Sequence, residues 1–146
     1  MTTATAGATP GFDRAVPVRT DDDVLRRVDL LLDENARQLR SVVLLFLDAD
    51  GVQLPVVVPI DDVPERPDPM LAGTVCWLIA EALAEYASGG SAVVVLTRPA
   101  GARPDDADRG WYQLLMVAAR QHRAPIRMVC VATPAGVGRL PPGRAG

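Results

Sequence analysis

The sequence predicts an α/β (α+β) fold in the order α-β-β-α-β-α-β, a mixed central sheet with helices on its faces, on the strength of three observations. The runs Ser41–Leu47 and Ala92–Leu96 are so continuously apolar that neither face of either strand can meet water. Asp48-Ala49-Asp50-Gly51 follows the first run as a turn, with Gly available for positive φ, and sends the chain back as a second strand. Beyond that hairpin, stretches with helical periodicity separate the remaining strands, which puts crossover helices on the sheet.

Residues 1–19 are rich in Thr, Ala, Gly and Pro and are expected to form a disordered or loosely docked arm. Thr20 followed by Asp21, Asp22 and Asp23 starts a helix: a hydroxyl cap, then carboxylates at the positive end of the dipole. Val24, Val28, Leu31 and Leu32 continue it at helical spacing, and it is expected to span 21–39. Val52–Val58 is the return strand, and Pro55 within it lacks a ladder donor, which places the strand at an edge or a bulge. Asp61–Pro69, with three prolines and four acids, is an exposed loop.

Met70–Ala87 reads as a second helix, apolar on most sides, with Glu81 and Glu85 on its wet face and Trp77 expected in the core. Ser88-Gly89-Gly90-Ser91 ends it. A loop over Arg98–Pro104 follows the strand Ala92–Leu96, and Asp105, Asp106 and Asp108 load the first turn of a third helix. Ala124-Pro125 stops that helix, and Ile126–Val131 is the last expected strand. Residues 134–146, with Pro134, Pro141, Pro142 and four glycines, are expected to be a flexible tail, so one domain covers 20–133.

A chain of 146 residues, 49% hydrophobic, can bury a core without metals or disulfides. All fifteen basic residues are arginine, which reads as the codon bias of a GC-rich genome. The net charge of −3 is uneven: 1–19 carries +1 and 136–146 carries +2, leaving the folded part near −6. An acidic body is a poor match for a phosphate backbone, so no nucleic acid is expected as a partner. The N-terminus lacks the basic and apolar regions of a signal peptide, and no apolar run approaches the ~18 residues of a membrane span. A soluble cytoplasmic protein is the expectation.

Residues able to do chemistry are few. Cys76 and Cys130 lie between apolar neighbours and are expected as buried structural thiols, with a disulfide or metal pair as the sharper alternative. His122 is the only histidine and falls in the last turn of the third helix, where it is read as a solvated helix-end residue rather than a general base. No serine stands in a Gly-x-Ser-x-Gly context, and Gly89-Gly90 precedes a strand rather than a helix, so it is a weak phosphate cradle. Asp48 and Asp50 are explained by the turn, with paired carboxylates for acid/base work as the alternative. Trp111, Tyr112, Leu115 and Met116 read as core.

At Ala92-Val93-Val94-Val95-Leu96-Thr97-Arg98-Pro99-Ala100-Gly101 the chain resembles the JAB/MPN metal-dependent hydrolases, in particular their RadC-like branch. There a buried strand runs into a His-x-His-Pro-Ser-Gly loop, and an Asp follows near the start of the next helix. Leu44–Gly51 is similar to the family's first strand and turn, and Ala82–Ser91 to the helix and small-residue turn before the motif strand. The order of elements agrees from about residue 20 to 132. Pro99 and Gly101 repeat the motif, whereas Leu96 and Arg98 stand where two metal-binding histidines would. Asp108, one residue short of the usual spacing, or Asp105 corresponds to the third ligand, and Val52–Val58 contains no acid to match the catalytic Glu.

Neither an alkyl group nor a permanent cation coordinates zinc, so the resemblance implies a JAB/MPN-like domain with no metal, no cofactor and no catalytic residue. Its expected role is contact with a protein partner or with itself, through a loop comprising Arg98, Pro99, Gly101, Arg103, Asp105 and Asp108. The alternative is a small-molecule or nucleotide-binding domain in which Arg98 and Arg103 hold an anionic ligand. A salt bridge from Arg98 to Asp105 or Asp108 would compete with that alternative.

Overall fold

Every residue of β1 (Ser41–Leu47) is buried, because strands flank both its edges and helices cover both its faces. The computed structural model describes residues 13–101 and 104–141. Around β1 the chain forms α1 (Asp21–Leu31), β2 (Gln53–Ile60), α2 (Pro69–Tyr86), β3 (Ser91–Thr97), α3 (Asp106–His122), β4 (Ile126–Thr133) and β5 (Gly136–Leu140). The strands make one mixed sheet in the order β2-β1-β3-β4-β5. Of the neighbouring strand pairs only β3 and β4 are parallel, and α3 is the crossover that a parallel pair requires.

The two faces follow from the period of two along each strand. Val42, Leu44 and Phe46, with Val94 and Val129, pack against α2 and α3. Val43, Leu45 and Leu47, with Val95 and Cys130, pack against Val24 and Val28 of α1. Pro55 sits where it does no harm: β2 is an edge strand, and Leu54, Pro55 and Val56 together stand opposite the single residue Phe46.

The helix starts are where the side-chain caps put them. Thr20 Oγ1 accepts from the Asp23 backbone at 3.1 Å while Asp23 accepts from Thr20 N, a reciprocal capping box. Asp105 and Asp108 form the same box for α3, and Asp68 caps α2 ahead of Pro69. All described buried side-chain nitrogens and oxygens have hydrogen-bond partners.

Three expectations need correction. The first helix ends at Leu31 rather than near 39, because Arg37 folds back from a 3-10 turn (Ala36–Gln38) and donates to the Asp29 and Leu32 carbonyls. The same guanidinium bonds the Asp29 carboxylate at 2.8 Å and the carbonyl of Thr133 on β4. A cation satisfying the open carbonyls of a helix end competes with continuation of the helix. Trp77 is 51% exposed and not core; α2 buries Ala72, Val75, Cys76, Ile79 and Leu83, and Trp77 lies one position, about 100°, round from Cys76. The segment after 133 is not all tail, since Gly136–Leu140 pairs with Val129–Thr133 as β5, a contact that no periodicity in a five-residue Gly-rich run announces. The N-terminal arm is tied down at its end, where buried Val18 donates to Gly51 O at 2.8 Å.

Candidate functional site

β3 and β4 end side by side at Thr97 and Thr133, and in open α/β sheets ligand sites form beyond the carboxyl ends of parallel strands. The loop leaving β3 is anchored on both sides. Arg98 N donates to Ala132 O at 3.2 Å, and Thr97 Oγ1 donates to Leu39 O at 2.7 Å while accepting from Ser41 N. Arg98 therefore emerges in a fixed position, buried and facing the first turn of α3.

There it meets Asp108. Arg98 Nε lies 3.2 and 3.1 Å from the two carboxylate oxygens, and Nη2 lies 2.8 Å from Oδ2. Both side chains are almost fully buried, at 6% and 4% exposure. Nη1 donates to Ala100 O inside the loop. Asp108 Oδ2 also accepts from Asp105 N at 2.9 Å, so one carboxylate serves the helix cap and the ion pair together. Burial pushes the Asp105 carboxyl upward, but the Asp108 backbone N–H and the Arg98 charge outweigh it and hold it below the usual carboxylate range.

The fold thus gathers Arg98, Asp105 and Asp108 into one network, with Arg98 and Asp108 buried and Asp105 exposed at the helix cap. Pro99 and Gly101 form its exposed rim, with Gly101 at φ +85° and closely backed by the Arg98 guanidinium. Arg103 lies outside the described residues. Asp48 is accounted for by the hairpin, its Oδ1 accepting from Asp50 N and Val52 N. Among the described residues no three His, Cys, Asp or Glu side chains are grouped so as to hold a metal ion. Cys76 and Cys130 are buried free thiols on opposite faces of the sheet, and burial pushes them up to about 11 and about 12 respectively.

A second polar site was not foreseen from the sequence. Pairing between β3 and β4 slips at Arg127, so that Ala92 faces Ile126 and Val93 faces Met128. Arg127 reaches Asp21 Oδ1 at 2.7 Å, and Arg139 of β5 reaches Oδ2 at 2.5 Å. The hydrogen bond from Arg127 holds the Asp21 carboxyl below its usual range. The three residues line a cleft of about 300 Å³ whose other wall includes Tyr112 and Met116. Asp21 and Arg139 are separated by 118 positions, and no local signal joins them.

Comparison with known proteins finds no matching family model, no matching curated protein and no matching solved structure.

Proposed function

We propose that this chain is a metal-free relative of the JAB/MPN hydrolases that works through protein contacts rather than catalysis. The Arg98–Asp108 pair carries the reading. Of the positions that correspond to metal ligands, one holds Leu96, one holds Arg98 and the third is Asp108, and the last two bind each other. A guanidinium takes the place beside the carboxylate that a divalent ion would need, and it does not deprotonate to become a ligand. The residues present therefore do not fit zinc, and no hydrolytic step is assigned to them. The exposed apolar side chains Met70, Trp77, Tyr86 and Val117 support a role in contacts.

Metal analysis of the purified protein tests the first half: no bound zinc is expected, and chelators should leave the melting temperature unchanged. Stoichiometric zinc would overturn it. Sedimentation of the purified chain, and of cross-linked material from its native host, tests the second half. A monomer in both preparations would remove the contact role.

A second reading, a domain that binds a small anion, is favoured by the cleft in which Arg127 and Arg139 converge on Asp21. Arg98, committed to Asp108, is the weaker candidate for that task. Thermal shift with simple carboxylates and phosphates checks it: stabilisation lost in Arg139→Ala supports this reading, and no response at millimolar ligand ends it.

A further inference from the structure

We infer that the outer surface of α2 and α3 is a self-complementary interface, and that its occupant is a second copy of this chain. The inference deepens the contact role proposed above by naming the partner. The two helices pack beside one another on one face of the sheet, with Cys76 Sγ 3.6 Å from Leu115 O between them. Their outer surfaces form one layer away from the core.

The stripes on that layer differ in sign. On α2, exposed Trp77, Glu81 and Glu85 recur at helical spacing, an apolar anchor followed by two acids. On α3, exposed Gln113, Val117 and Arg120 recur likewise, with an apolar residue followed by a base. Among the described residues, none of Glu81, Glu85 and Arg120 takes part in an ion pair within the chain. A two-fold axis would lay α2 of each copy on α3 of the other, so one complementary contact is made twice. Trp77 would cover Val117 of the second copy, and Glu81 and Glu85 would face its Arg120. Trp77 is half exposed and Val117 is 45% exposed, and aromatic residues ringed by polar ones are the usual anchors of such surfaces.

Size sets the expected strength. Helices of 18 and 17 residues form a layer about 27 Å long and about 20 Å wide. That footprint falls at the low end of specific interfaces, so a dimer with a micromolar Kd is expected.

Light scattering coupled to size exclusion, on the full chain over a range of concentrations, should show a two-copy mass that dissociates on dilution. Glu81→Arg and Arg120→Glu should each weaken the dimer by at least ~100-fold, because each places like charges opposite one another twice. Mixing the two variants should restore a dimer, since Arg in one then meets Glu in the other at both contacts. Trp77→Ser should weaken it as well, and all three exposed substitutions should leave the circular dichroism spectrum unchanged. A wild-type chain that stays monomeric, or a dimer indifferent to these charge reversals, would overturn the inference. A monomer that still enters a complex with a different protein would overturn it while leaving the wider contact role intact.

Discussion

Replacing Asp108 with Ala removes the carboxylate that faces the Arg98 side chain, which is 6% exposed. The loss has two parts. Breaking a buried ion pair by removing one partner costs about 3–5 kcal/mol, because the remaining charge loses its counter-ion in a desolvated site. Removing half of the α3 capping box adds about 1 kcal/mol, since Asp108 Oδ2 also accepts from Asp105 N. A drop of roughly 4–6 kcal/mol is therefore expected, a large share of the ~5–15 kcal/mol that holds an ordinary domain. At about 3–4 °C per kcal/mol for a chain of this size, the melting temperature should fall by roughly 12–24 °C. The paired change Arg98→Met with Asp108→Leu removes both charges and should return to within about 2 kcal/mol of the parent. Urea unfolding followed by the fluorescence of buried Trp111 and by circular dichroism compares the parent, Asp108→Ala and the paired variant. A cost for Asp108→Ala below about 1 kcal/mol, the value of an exposed pair, would refute the claim that this network closes the site.

Three further outcomes are expected. Gly101→Ala should destabilise by about 1–2 kcal/mol in the same assay, since φ is +85° and a Cβ would lie 2.5 Å from an Arg98 nitrogen that the loop holds in place. Arg37→Ala should cost about 2–3 kcal/mol and speed amide exchange at the end of α1, because three carbonyls and the Asp29 carboxylate lose their donor. Cys76 and Cys130 should resist alkylation at pH 8 until the protein is unfolded. Their folded values lie above that of a free thiol, so their contribution to stability is complete below pH ~8.5 and is lost as pH rises toward 11 and 12. A pH titration of urea stability that rises over that interval would contradict this sign.

The buried strands were legible because Ser41–Leu47 and the run through Leu96 have no polar face to offer solvent, and the start of α1 because the Thr20 cap acts within three residues; Asp68 and Asp105, read as a loop residue and a first-turn acid, are the caps of α2 and α3. A salt bridge from Arg98 to Asp105 or Asp108 was legible because only one loop separates them, and the fold decides that Asp108 takes it. Trp77 was misplaced because α2 is apolar nearly all round, although its spacing of four and eight residues from Glu81 and Glu85 puts it on their wet face. The Arg127–Asp21–Arg139 cluster was invisible, as its members become neighbours only when β4 slips by one residue and β5 closes the sheet.

Local chemistry therefore settled the kind and order of the main helices and strands through Val131. Long-range pairing decided the rest: that Arg37 ends α1, that Gly136–Leu140 is a strand, and that the outer surface of α2 and α3 carries Trp77 beside opposite charges. Capping and strand burial are energies between near neighbours, which a sequence displays. Where Arg37 docks and which side of an apolar helix stays exposed depend also on residues far along the chain, and only the folded chain brings them into contact.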